Sequence, residues 1–270
     1  MFTTEQLEAI NAQLALTSNR TAVFSVDDLA IVVKRQEPPR QYCGYQILNI
    51  LANVLGQPVV RGVPAPGGSV AQAIEVARLH TLAAAGVSVP KVLHVTSQWF
   101  AMSFLGKTSI DELLRHEPEK NLIYWESGLQ AILQLHRLDQ NASQCFARNM
   151  IWHEGNVSFI DFEDDPIKSM PLASAQARDW LLYLHSSAYI LNMDAHQIAQ
   201  RFLRYLRQDE KDVQEEVMRV TRSFGWLCIL PSKRKPWGRD VVAVQAAAEV
   251  LHLADKQLKQ GRKQFDPALQ

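Results

Sequence analysis

Cysteine is scarce in this chain of 270 residues, with Cys43, Cys145 and Cys228 the only three. They are far apart, odd in number and free of CxxC spacing, which excludes a disulfide framework and a thiolate zinc site. That usage predicts reduced thiols in a cytoplasmic protein. Long apolar runs are also missing. No stretch approaches the roughly 20 residues of a membrane-spanning helix. The longest candidate, residues 224–230, reads as a core-sized piece. The N-terminus lacks the basic start and apolar centre of a secretory signal. Neither sign of charge is in excess, since 28 Lys and Arg balance 28 Asp and Glu. A neutral chain has no global field for capturing nucleic acid, so none is expected as partner and any anion site must be local. There is no GxSxG elbow, no HExxH pair, no internal repeat and no low-complexity linker.

What the chain does have is ordinary core-forming material, 47% hydrophobic residues. Its first part reads as strand-rich. Residues 21–26 and 29–34 are β-branched runs around Asp27-Asp28, the pattern of a hairpin. Residues 41–55 carry apolar positions at helical spacing. A Pro/Gly loop at 62–68 precedes Ser69-Val70-Ala71-Gln72, which matches a capping box and predicts a helix to about Ala85, closed by Gly86. Strands are expected over 87–95 and 100–104. After residue 109 helices dominate, at 111–115, 122–138, 173–189, 195–207, 211–226 and 240–260. Two short β-like runs, 149–152 and 157–160, interrupt them around the turn His153-Glu154-Gly155-Asn156. The fold class is therefore α+β with two lobes: residues 1–105 small and β-rich, residues 106–270 larger and helical. The hinge falls at 103–107.

Phosphoryl transfer asks a protein for few things: a cation on the phosphates, oxygen ligands for Mg²⁺, and a group that positions the attacking hydroxyl. Lys34 ends the apolar strand Ile31-Val32-Val33-Lys34, either as a phosphate-binding cation or as a lysine snorkelling at a strand end. Glu75 lies on the following helix and is a candidate to pair with it; alone it is an exposed helix glutamate. Asp161, in Phe159-Ile160-Asp161-Phe162-Glu163, and Asn149 flank the hairpin, which can place both side chains at one edge. A hard cation prefers such oxygen ligands.

Their order resembles that of the protein-kinase superfamily. The segment from Ala73-Ile74-Glu75 to Lys91-Val92-Leu93 resembles a kinase αC helix and its next strand. Leu135-His136-Arg137 resembles the end of the helix before the catalytic loop. Asn149-Met150-Ile151-Trp152 and Phe159-Ile160-Asp161-Phe162-Glu163 resemble the metal-binding hairpin. Ala177-Arg178-Asp179-Trp180 resembles the later helix whose Asp braces that loop. Together, over roughly residues 29–185, they are similar to the bacterial lipopolysaccharide (Kdo/heptose) kinase-like and RIO-like small kinases.

The resemblance implies a two-lobed kinase-like fold, ATP and Mg²⁺. It implies Lys34 and Glu75 at the phosphates, Asn149 and Asp161 on the metal, and the backbone of Ser103, Phe104 and Leu105 at the adenine. The expected activity is transfer of phosphate to a saccharide, a lipid-linked sugar or a protein hydroxyl, so the partner is a small-molecule or protein acceptor. Two departures stand out. The catalytic Asp of H-R-D-L-x-x-x-N stands five residues before the Asn, and here that position is Gln144, which cannot take a proton as a carboxylate does. The Gly-rich loop is also missing, since residues 16–21 carry no glycine. The alternative is a pseudokinase that binds nucleotide or a partner without turnover. Residues 232–239 are basic with one Trp and read as a solvated loop or as a peripheral contact with an anionic membrane surface. The sequence leaves the oligomeric state open.

Overall fold

In a computed structural model the described residues are 2–36, 38, 59, 63 and 67–265. The helix expected over 41–55 and most of the loop expected over 62–68 lie outside them. The two-lobed α+β architecture is present. A four-stranded antiparallel sheet, ordered β1-β2-β4-β3, forms the small lobe. Its strands are β1 (Thr21–Val26), β2 (Leu29–Arg35), β3 (Val92–Val95) and β4 (Trp99–Ser103).

The alternation of β2 sets the lobe's two faces, because successive strand side chains point to opposite sides. Ile31 and Val33 join Trp99 and Ala101 of β4 in a cluster with Ile10 and Leu14. The last two belong to helix α1 (Thr4–Ala15), which has a Thr3/Gln6 capping box. Val32 and Lys34 point the other way, into the cleft between the lobes. Phe100 of β4 packs with Leu79 and Leu82, on helix α2 (Gly68–Ala84).

Three local expectations are corrected. Helix α2 has no capping box at Ser69; its N-cap is Gly67 at φ 70° with no side-chain cap. The Gln72 amide donates instead to Thr96 O, at 2.7 Å, tying the helix to the sheet. The strand expected over 87–95 is only Val92–Val95. Gly86 at φ 84° turns the chain out of the helix first, with Val87 N–H donating to Leu82 O at 2.9 Å. The apolar run 224–230 is not a core piece, since Trp226 and Ile229 are exposed.

The helical lobe begins with α3 (Ile110–His116), whose Ser109/Glu112 capping box fixes its first turn. Helix α4 (Asn121–Arg137) and α5 (Leu172–Ser187) cross at its centre, with Trp125, Leu129, Trp180 and Tyr183 buried. Tyr183 OH donates to Trp125 O at 2.9 Å, an approach that Gly128 permits because a Cβ there would overlap the Tyr183 ring. Helices α6 (Ala195–Leu206), α7 (Lys211–Phe224) and α8 (Arg239–Phe265) complete it. No helix among the described residues is long and apolar enough to cross a membrane.

Between the helices stands the hairpin β5 (Met150–His153) and β6 (Asn156–Phe159), paired antiparallel. It touches both sides of the hinge. Trp152 N–H donates to Thr108 O at 3.2 Å and Phe159 N–H to Ser88 O at 3.0 Å. This small hairpin therefore fixes where the residues at its open end stand.

Candidate active site

The base of the hairpin closes through Ile160 N–H to Asn149 O, at 3.0 Å. That bond sets Asn149 and Asp161 side by side at one edge, facing β2. Asp161 has φ 72°, in the left-handed region, where a non-glycine residue is uncommon and held by its surroundings. There its Oδ1 accepts from Lys34 Nζ at 2.8 Å.

Lys34 is the centre of the cluster. Its ammonium, 6% exposed, also lies 2.8 Å from the Glu75 carboxylate and 2.8 Å from Glu163 Oε1. Glu163 in turn pairs with Arg20, so three carboxylates from α2 and the segment after β6 surround one ammonium. Glu75 is itself buried, which overturns its reading as an exposed helix glutamate. Burial works against the Lys34 charge, but Glu75, Asp161 and Glu163 outweigh it and hold the pKa above the usual lysine range. Burial raises the Glu75 pKa and Lys34 opposes the rise. Burial pushes Glu163 in the same direction, but Lys34 and Arg20 win and lower its pKa.

The loop from Asp139 to Asn149 is tied down along its length. Ala142 N–H donates to Asp179 Oδ2 at 2.7 Å. Ser143 Oγ donates to Asp164 O at 2.7 Å, and Ala147 N–H to Ser186 Oγ at 2.9 Å. Arg78, one turn beyond Glu75 on α2, donates to Asn141 O at 2.6 Å, so one helix touches both the Lys34 cluster and this loop. Asn149 Nδ2 donates to Gln144 O at 3.0 Å, which leaves Oδ1 as its atom for a ligand. Gln144 stands half-buried on the same loop. Below, His136 Nδ1 lies 2.7 Å from Asp209 Oδ2 and Nε2 lies 3.4 Å from Asp179 Oδ2. Burial disfavours its charge, but the two carboxylates prevail and raise its pKa.

Lys34, Glu75, Asn149 and Asp161 all line one cavity of about 340 Å³. Val23, Val32, Met102 and Ile151 give it apolar walls, and Ser103, Phe104 and Leu105 form its hinge side. Two of the hinge N–H groups are engaged: Ser103 N–H donates to Lys91 O at 2.9 Å and Phe104 N–H to Ala30 O at 3.3 Å. Gln144 does not line this cavity.

The sequence reading missed Arg20, Arg78 and the His136–Asp209 pair, and left open whether Glu163, Asp164 or Asp165 assists the metal. Arg78 was findable, three residues from Glu75 on one helix face; nothing in the sequence marks Arg20. The loop 16–21 precedes β1 and contributes Arg20 and Thr21 to the cavity. The turn between β1 and β2 is only Asp27-Asp28, at φ 45° and 64°, the tight primed-turn geometry. It carries no glycine.

The residues present suit a hard cation. Oxygens of Glu75, Asp161 and Glu163 lie within 4.8 Å of one another, beside Asn149. Against three carboxylates stand two cations, Lys34 and Arg20. These oxygens are gathered around the Lys34 ammonium, and Asn149 and Asp161 at the cavity edge offer the oxygen donors a hard cation such as Mg²⁺ prefers.

No protein-family model matches the chain, and no curated protein matches it. Among solved structures it is similar to the ADP-bound aminoglycoside phosphotransferase APH(2'')-Ib, at 14% identity and TM-score 0.36, over 94% of this chain and 99% of that one. It is similar to APH(2'')-IIa in complex with gentamicin, at 14% identity and TM-score 0.39, over 93% and 99% of the two chains. A mutant PAN3 pseudokinase from Neurospora crassa gives 12% identity and TM-score 0.32, over 98% and 73%. These are distant similarities of overall shape, and the chemistry is drawn from this chain's own side chains.

Proposed function

We propose that the chain is an ATP- and Mg²⁺-dependent phosphotransferase of protein-kinase-like architecture. The observation that carries this reading is the convergence of Lys34 from β2, Glu75 from α2 and Asp161 from beyond β6 in one inter-lobe cavity. Glu75 holds the Lys34 ammonium in place, and Lys34 holds phosphate oxygens. Asn149 and Asp161 would hold Mg²⁺, which would neutralise charge on the phosphates. The apolar walls accept an adenine, and a cavity of this size is within the range of small-molecule sites. Asp179 braces the loop through Ala142.

The transferred group passes from ATP to an acceptor hydroxyl, the bond to ADP breaking as the new P–O bond forms. The transition state is largely dissociative, so positioning and charge stabilisation supply most of the catalysis. Gln144 would orient the acceptor by hydrogen bonding and leave its proton to solvent or phosphate. The cost of losing a general base is about 10²- to 10⁴-fold, so turnover is slow. The acceptor class follows from the family resemblance alone: a saccharide, a lipid-linked sugar or a protein hydroxyl.

A second reading, a nucleotide-binding pseudokinase, is favoured by Gln144 and by the two-residue turn at Asp27-Asp28. The experiment that separates the two is transfer of labelled γ-phosphate in the presence of Mg²⁺. Label incorporation into an acceptor or release to water, absent in Asp161→Ala, supports the enzyme. Nucleotide binding with no labelled product after long incubation supports the pseudokinase, and absence of both sinks the two together.

A further inference from the structure

The helical lobe carries a surface that phosphoryl transfer does not use. Residues 217–239 contain six Lys or Arg and no Asp or Glu, in a chain whose formal charge is zero. Within that stretch Trp226, Ile229 and Trp237 are 60%, 78% and 58% exposed. Trp226 and Ile229 belong to the 3-10 turn Gly225–Ile229, and Trp237 ends the helical turn Arg234–Trp237, where the sequence reading expected a loop.

Packing on α8 relates these side chains. Gly225 lies against His252, and Cys228 O accepts from Gln245 Nε2 at 3.3 Å. The 3-10 turn therefore runs antiparallel to α8 and carries Ile229 toward the start of that helix, where Trp237 and Arg239 stand. Lys233 and Arg239 are exposed on the same stretch. Three cations have carboxylate neighbours: Arg219 with Glu216 at 2.5 Å, Arg222 with Asp255 at 3.8 Å and Arg239 with Asp240 at 3.8 Å.

Exposed indoles and an isoleucine set among basic residues are the composition of an interfacial membrane element. Indole rings settle at headgroup level, an aliphatic side chain enters the acyl boundary, and Lys and Arg meet lipid phosphates. A second copy of the chain fits poorly, because a two-fold contact would set this basic stretch against itself. We propose that this surface docks the helical lobe peripherally on an anionic bilayer. Arg239 also lines a cavity of about 340 Å³ with Arg148, His185 and Tyr189, together with the carboxylates Asp111 and Asp240. Docking brings that cavity, beside the Asp139-to-Asn149 loop, to the level of the headgroups.

The test uses the full chain without nucleotide, so its outcome is separate from that of the phosphotransfer reading. The protein is sedimented with vesicles of phosphatidylcholine alone and with vesicles in which about a third is phosphatidylglycerol. The expected result is co-sedimentation with the anionic vesicles only, weakened by salt, with a blue shift of tryptophan emission. Lys233→Gln weakens partitioning roughly fivefold, the share of one basic residue near the surface. Trp226→Ser with Trp237→Ser removes the blue shift, and these exposed positions leave the melting temperature in place. Failure to bind anionic vesicles, equal binding to neutral ones, or indifference to these substitutions overturns the proposal. Concentration-dependent self-association lost in the same variants would assign the surface to a second copy instead.

Discussion

Replacing Lys34 by methionine is the most informative perturbation of the site. It removes the one ammonium that stands 2.8 Å from Glu75, Asp161 and Glu163 alike. Methionine fills most of the volume, so the effect is electrostatic. Glu75 is 2% exposed and would be left as a buried carboxylate with no counter-charge. Breaking a buried pair from one side costs about 3–5 kcal/mol. For a chain of this size that lowers the melting temperature by roughly 6–15 °C.

The sign of the pH dependence follows from Glu75. Burial already raises its pKa above the ordinary glutamate value of 4.5, and losing Lys34 raises it further. A carboxyl with a raised folded pKa destabilises the fold where it must ionise and ceases to do so once protonated. The deficit of Lys34→Met is therefore full above the raised Glu75 pKa and shrinks as pH falls through it. Adding Glu75→Gln recovers most of the loss, because an amide needs no counter-charge. Thermal melts of the wild type and both variants across this range make the measurement. A Lys34→Met protein that melts with the wild type, or one whose deficit is the same in acid and alkali, would refute the buried-cluster reasoning.

If Gln144 orients the acceptor as proposed, Gln144→Asp puts a carboxylate there and should raise single-turnover transfer by up to about 10²- to 10⁴-fold; an unchanged rate would remove residue 144 from the chemistry. Burial works against the His136 charge, but Asp179 and Asp209 raise its folded pKa above the ordinary histidine value of 6.5. Its stabilisation is present below that value and is lost as pH rises through the folded pKa. Denaturant melts should show that loss in the wild type and its absence in His136→Gln. Gly128→Ala drives a methyl into the Tyr183 ring and should cost about 1–3 kcal/mol or more; a neutral melt would place Tyr183 elsewhere.

Much of this site was legible because its residues sit on regular elements. The alternation Ile31-Val32-Val33-Lys34 assigns Lys34 to the face opposite α1 without any knowledge of what lies there. The His153–Asn156 turn sets the register that brings Asn149 and Asp161 together. Asp179 was legible by resemblance, and its carboxylate does receive the Ala142 N–H. What was not legible depends on tertiary burial. The pairing of Glu75 with Lys34 was expected by resemblance, but its burial at 2% exposure was not legible. Arg20 and Glu163 meet across 143 residues of chain. Ser69-Val70-Ala71-Gln72 carries the capping pattern, but the preceding glycines start the helix two residues early and Gln72 serves the sheet. The run 224–230 is apolar enough for a core, and only its packing on α8 shows which side chains are left outside.

The central claim is that the inter-lobe cavity binds Mg²⁺ and ATP through Lys34 and Asp161. Thermal melting of the wild type and Asp161→Ala, with ATP in the presence and absence of Mg²⁺, tests it most directly. A ligand at about a hundred times its dissociation constant stabilises the native state by about 2.7 kcal/mol, which raises the melting temperature by roughly 5–10 °C. A rise of that order is expected for the wild type with ATP and Mg²⁺ together, and none for Asp161→Ala. No rise at millimolar nucleotide, or an equal rise in both proteins, would contradict it.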